Sequence, residues 1–93
     1  MEIKHIAEGN RGFFGAYHDA EQMGMITYSM AGETKMILDH TEVNEKYAGQ
    51  GVGKSIVLYI VDYARKNNLK ILPLCPFAKS VFDKTKEIHD VLF

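Results

Sequence analysis

Nine consecutive residues, Tyr47-Ala48-Gly49-Gln50-Gly51-Val52-Gly53-Lys54-Ser55, carry the strongest chemical signal in the chain. Three glycines at alternate positions run directly into an amphipathic pattern. A helix that starts on glycines leaves its first backbone N–H groups uncovered. Those donors and the positive end of the helix dipole form a site for phosphate, to which Lys54 and the Ser55 hydroxyl can add. Two other side chains are suited to chemistry. Cys75 precedes Pro76, as an N-cap precedes a proline at the first helical position, and a helix N-terminus favours nucleophilic cysteines. His40 is the side-chain type that takes a proton near neutral pH, from a thiol or from an incoming amine. Each also has a plainer reading: Cys75 as a small buried hydrophobe, His40 as a hydrogen-bonded residue on a sheet face. Asp39 and Glu42 are further candidate bases. His5, His18 and His89 are widely spaced and match no metal-ligand pattern, so no metal site is expected.

The elements that must position these groups read from periodicity. Ile3–Ile6 is a short strand closed by Glu8-Gly9-Asn10, and the aromatic-rich segment Arg11–His18 is a second. Met23–Met30 is a third, with Ile26, Tyr28 and Met30 on one face. A fourth strand spans about Thr34–Val43, and strict alternation puts Met36, Leu38 and His40 on one face and Ile37, Asp39 and Thr41 on the other. Short polar connections imply an antiparallel meander. After the glycines, Val52, Ile56, Ile60 and Ala64 recur at i+4, flanked by Val57 and Val61, which predicts a helix buried along one stripe and stopped at Asn67-Asn68. Leu69–Leu72 follows as a fifth strand, parallel to the fourth because a helix crosses between them. A second helix is expected over Pro76–Glu87, and the apolar residues of the tail Ile88–Phe93 are expected to pack back on the core. This is an α+β architecture with a mixed sheet.

Composition limits the function classes. Ninety-three residues make one domain, 1–93. Lys+Arg 11 against Asp+Glu 12 leaves no basic excess, which argues against a nucleic-acid binder. No apolar run approaches ~20 residues, and Met1–His5 lacks a signal-peptide core, so no membrane role and a cytoplasmic location are expected. The single cysteine fits a reducing compartment.

Two motif readings fit the glycine loop. Ala48, four residues, then Gly53-Lys54-Ser55 satisfies a relaxed P-loop pattern. Against it, the preceding Glu42–Tyr47 is mostly charged or polar, no later apolar run ends in an Asp to hold Mg²⁺, and the chain is short for a multi-stranded parallel sheet. The second reading is by resemblance. Gly49-Gln50-Gly51-Val52-Gly53 resembles the pyrophosphate loop of the GNAT N-acetyltransferase superfamily, [QR]-x-x-G-x-[GA], with Gly51 and Gly53 matching and Ala48 standing where Gln or Arg is expected. The order of elements is similar over the whole chain. Cys75–Phe82 resembles the family's N-x-x-A-x-x-x-Y segment, with Ala78 retained, and the small single-domain members with a Leu-Cys-Pro-Phe segment after the fifth strand are most similar.

That resemblance implies an acetyltransferase using acetyl-CoA. The pyrophosphate of coenzyme A would lie on Gly49, Gln50, Gly51, Val52, Gly53, Lys54 and Ser55. The pantetheine arm would run between splayed fourth and fifth strands, along the backbone of Thr41, Glu42 and Val43, and Lys79 would reach toward the 3′-phosphate. The thioester would point toward His40 and Cys75. The family's general-acid Tyr is replaced by Phe82, so Cys75 becomes the candidate acyl acceptor, through a cysteine thioester; a coenzyme A thioester-binding module without turnover is the alternative. Full-length relatives insert helices between the first two strands, where this chain has only Ala7–Asn10. The acceptor side is therefore expected to be open, suiting a protein or other large amine, a partner that completes the wall, or no acceptor.

Overall fold

A computed structural model describes all residues, Met1–Phe93. Five strands, β1 (Glu2–Glu8), β2 (Arg11–His18), β3 (Glu21–Ala31), β4 (Lys35–Val43) and β5 (Lys70–Pro73), form one sheet in the order β1-β2-β3-β4-β5. The first four pair antiparallel through short turns, and β5 pairs parallel to β4 after the crossover helix α1 (Val52–Lys66). The expected mixed sheet is therefore present. A second helix, α2 (Pro76–Lys84), follows β5, and a 3-10 segment Lys86–Val91 closes the chain.

Both helices lie on one face of the sheet. Ile56, Val57, Ile60 and Val61 of α1 are buried against Phe14, Ala16, Ile26, Tyr28, Met36 and Leu38 in a single core. Each such aliphatic side chain contributes roughly 1.5–3 kcal/mol on leaving water. Helix α1 ends as the asparagines predict: Asn67 is the C-cap and Asn68 has φ 54°, the left-handed conformation. Helix α2 stops at Lys84, three residues before the expected Glu87. Thr85 leaves helical geometry, and the tighter winding that follows puts Ile88 and Val91, an i, i+3 pair, into the core together. Leu92 pairs with Ile71, but Phe93 does not enter the core as expected; its exposed ring lies under the Lys35 ammonium.

The expected faces of β4 need correcting at its C-terminal half. Tyr28 pairs with Leu38 but Thr27 pairs with His40, so Asp39 is an extra residue and the alternation slips by one. Met36 and Leu38 face the core. Beyond the bulge it is Thr41, opposite Ile26, that shares this face. His40 turns to the uncovered face instead.

Candidate functional site

The glycine loop is held from behind. Asn44 caps the 3-10 turn Glu45–Tyr47 by accepting from the Lys46 N–H at 3.0 Å, and its own N–H donates to the Met23 carbonyl at 2.8 Å. The Tyr47 hydroxyl and the Lys46 ammonium both donate to Glu21 at the start of β3. These hydrogen bonds, Tyr47 first, hold the Glu21 carboxyl below the usual carboxylate range. The chain then reaches Gly49 at φ 80° and Gly51 at φ 75°, two left-handed residues that turn it into α1. Neither would meet any atom within 4 Å if a Cβ were added, so the space in front of them is open.

The Ser55 N–H donates to the Gly51 carbonyl at 2.9 Å and opens the helical ladder. The N–H groups of Val52, Gly53 and Lys54 have no acceptor in the chain, and no side chain caps this end. The first turn contains no acidic residue and does contain Lys54. A cation at a helix N-terminus opposes the dipole, an arrangement that an anion in front of the helix makes favourable. Val52 points into the core, Gln50 and Lys54 are exposed, and Ser55 is half-buried. Gly53 has a separate reason to be glycine: a Cβ there would lie 2.6 Å from the Phe77 ring, which packs across the start of α1.

Strands β4 and β5 part at Leu38. Its pairing with Pro73 is the last rung, and its carbonyl accepts from the N–H groups of both Leu74 and Cys75, at 3.1 and 3.0 Å. From there β4 runs on through Asp39, His40, Thr41, Glu42 and Val43 while the other chain turns away into α2. Cys75 stands at the point of parting, with its sulfur 2.9 Å from the Thr41 hydroxyl of β4. Gly24, in β3, would place a Cβ 2.9 Å from the Glu42 carbonyl, so β3 and β4 approach closely there.

Cys75 is the N-cap of α2, as its position before Pro76 predicts. Its sulfur accepts from the Ala78 N–H at 3.3 Å and lies 2.9 Å from the Thr41 hydroxyl, and the residue is only 4% exposed. The structure thus joins Cys75 to Thr41, whereas the sequence paired it with His40. The cause is the Asp39 bulge, which turns Thr41 to the helix side and His40 to the other. Thr41, expected to offer only its backbone, has its side chain at the sulfur. Lys79 is engaged by Asp83 at 3.1 Å and lines a cleft with Leu72, Leu74 and Phe93 on the β5 side. Phe82 is buried and offers no proton. Sequence reasoning missed the Glu21 anchor and the Phe77 ring. Glu21 falls outside the strands read from periodicity, and Phe77, although part of the Leu-Cys-Pro-Phe segment, carries no local sign that its ring packs on Gly53. No helix is long and apolar enough to cross a membrane, and no cluster of His, Cys, Asp or Glu is arranged to hold a metal ion.

The loop is thus entered through a 3-10 turn rather than directly from a buried parallel strand, which speaks against the P-loop reading. Comparison with known proteins agrees. The family model for the GCN5-related N-acetyl-transferase matches residues 13–91. A GCN5-like candidate N-acetyltransferase from Staphylococcus aureus, solved by NMR, is 36% identical, with 99% of this chain covering 87% of that one at a TM-score of 0.72. The ribosomal-protein-alanine N-acetyltransferase of Brucella melitensis has the same fold at 17% identity and a TM-score of 0.71, over 83% of this chain and 62% of that one. An aminoglycoside 6'-N-acetyltransferase solved with coenzyme A does too, at 19% identity and a TM-score of 0.61, over 70% of this chain and 37% of the other. No curated protein sequence matches. The match along most of the chain, the extensive identity to the staphylococcal protein and the shared fold lead to one assignment: the chain belongs to the GCN5-related N-acetyltransferase family.

Proposed function

We propose that this chain binds acetyl-CoA and transfers its acetyl group to an amine, with Cys75 as the intermediate acyl acceptor. The observation that carries the binding half is the set of unpartnered N–H groups at Val52, Gly53 and Lys54, behind two left-handed glycines with open space before them. Charge-assisted hydrogen bonds from these donors, with Lys54 and the Ser55 hydroxyl, fit a pyrophosphate. The exposed dipole alone is worth only ~0.3–1 kcal/mol, so several donors must act together. The aminoglycoside acetyltransferase with this fold was solved with coenzyme A. The pantetheine arm would follow Thr41, Glu42 and Val43 along the β4–β5 gap, which brings the thioester to Cys75.

In the first step the Cys75 sulfur forms a bond to the thioester carbonyl carbon, the carbon–sulfur bond to coenzyme A breaks, and the thiol proton ends on the departing sulfur. The Thr41 hydroxyl, 2.9 Å away, orients the sulfur, and the Ala78 N–H supports it from the helix end. In the second step the acceptor amine displaces Cys75, which recovers a proton. His40 lies on the open side of β4 and serves the incoming amine as base rather than serving Cys75.

A second reading has its own observation. Cys75 is buried and both of its hydrogen bonds are made within the fold, as for a purely structural N-cap. In that case the chain is a coenzyme A thioester-binding module without turnover. Mass spectrometry after incubation with acetyl-CoA separates the two. A hydroxylamine-labile acetyl adduct that disappears in Cys75→Ser supports transfer, and coenzyme A binding with neither adduct nor free thiol release supports the module. Saturable, Mg²⁺-dependent ATP binding with no coenzyme A binding would overturn both.

A further inference from the structure

The face of the sheet away from the helices carries a charge pattern that the coenzyme A site does not use. Cross-strand pairing aligns its side chains in rows: Arg11 beside Ser29, and one row further Phe13, Thr27 and His40. Ile37 stands opposite Ser29 in the first row, and the bulge turns Asp39, two residues on, to the same face, where its carboxylate accepts from the Ser29 hydroxyl at 2.9 Å. Arg11, Thr27, Ser29 and Asp39 line a cleft of about 500 Å³ on this face. Directly paired residues across a ladder stand ~5 Å apart and diagonal ones ~7–8 Å, so the stems of Arg11 and Asp39 are roughly 11–12 Å from each other with Ser29 between them. They form no ion pair, and Arg11 has none with any residue, including Glu8 opposite it in β1.

We propose that this cleft receives the head group of an α-amino acid, with Asp39 holding its ammonium and Arg11 its carboxylate. The proposal rests on the transfer reading above and names the acceptor class for it. A guanidinium with free donors matches a carboxylate in two parallel hydrogen bonds. Asp39, fixed by Ser29, supplies the opposite charge. A ligand bearing both charges closes a span that the two side chains leave open, and a simple amine satisfies only one of them. The position suits transfer as well. Asp39 adjoins His40 in sequence, and the β4–β5 gap opens immediately after Leu38. An amine at Asp39 therefore lies beside the base on one side of the gap while Cys75 lies on the other.

The test uses the full chain saturated with coenzyme A and two probes that differ by one carboxylate, L-lysine and 1,5-diaminopentane. In ¹H–¹⁵N NMR titrations L-lysine is expected to shift the amides of Arg11, Thr27, Ser29 and Asp39 and to bind at least ~10-fold more tightly than the diamine. Arg11→Gln should erase that preference and Arg11→Lys should keep part of it, with the spectrum's dispersion reporting that each variant is folded. Ser29→Ala should weaken L-lysine binding by loosening Asp39. Equal binding of the two probes, shifts confined to other residues, an Arg11→Gln variant that binds L-lysine as wild type does, or no binding of either probe overturns the proposal. Thiol release from acetyl-CoA is read separately. L-lysine bound in the cleft with no thiol release defeats the transfer reading and leaves the site standing. Amine-dependent release that ignores Arg11 defeats the site and leaves transfer standing.

Discussion

Replacing Gly51 by alanine separates the fold's use of this residue from the ligand's. Gly51 has φ 75° and ψ 21°, and an added Cβ would meet nothing within 4 Å. The cost to the fold is therefore conformational. The left-handed region disfavours an L-residue by ~1–2 kcal/mol, and the stiffer unfolded chain returns ~0.4–1 kcal/mol. The net loss is about 1 kcal/mol, or roughly 4–8 °C in Tm for a domain of this size. Gly32, at the β3–β4 turn, has φ 76° and the same open surroundings, so Gly32→Ala should lose a similar amount. Coenzyme A should tell the two apart. In the proposed complex a pyrophosphate on the Val52, Gly53 and Lys54 N–H groups would lie against Gly51, so a methyl there is expected to displace it from at least one donor, and one charge-assisted hydrogen bond is worth ~1.5–3 kcal/mol. Calorimetric titration should then show coenzyme A affinity reduced about 10- to 100-fold in Gly51→Ala and unaltered in Gly32→Ala, with thermal melts run in parallel. If both variants bind coenzyme A like the wild type while losing comparable stability, the pyrophosphate does not sit on this loop.

Two further expectations follow from side-chain contacts. Thr41→Val keeps the shape of the side chain and removes the hydroxyl 2.9 Å from the Cys75 sulfur, so stability should fall by ~0.5–1.5 kcal/mol. Acetylation of Cys75, followed by mass spectrometry, should slow and recover in Thr41→Ser; unchanged stability and rate would remove Thr41 from the site. Burial beneath Phe14 and Tyr63 lowers the pKa of His5 below 6.5, while its Nε2 lies 2.6 Å from the Tyr28 hydroxyl. The folded protein thus binds this proton less readily than the unfolded chain. The stabilisation is complete above pH 6.5 and is lost as pH falls through the lower folded value. Melts between pH 8 and 5 should show a decline that flattens in His5→Phe, and an equal slope in both proteins would assign the decline elsewhere.

Much of this architecture is legible in the chain because its signals are local. The boundaries of β2 agree with the reading from Arg11 to His18, the i+4 stripe from Val52 to Ala64 is the buried face of α1, and Cys75-Pro76 marks a cap before a helix. The support behind the glycine loop is not local. Tyr47 and Lys46 are ordered by Glu21, and no pattern within Glu42–Tyr47 announces a partner so distant in sequence.

The bulge at Asp39 is the most consequential of the illegible features. Period-2 alternation read straight through Met36–Thr41 assigns His40 to the core side and gives Cys75 a histidine partner. One inserted residue reverses every later side chain of the strand, so the sulfur meets a hydroxyl and the histidine meets solvent. The slip occurs where β4 loses β5 as a neighbour, and a strand paired on one side only can accommodate an extra residue there at less cost to its ladder. The same displacement turns Asp39 toward Ser29. In the transfer reading, a thiol on the helix side and a base on the open side can then serve one carbonyl in the gap without competing for a single face. Strict alternation would have placed His40 on the thiol's side, beneath the helices, where an amine arriving at the open face could not use it.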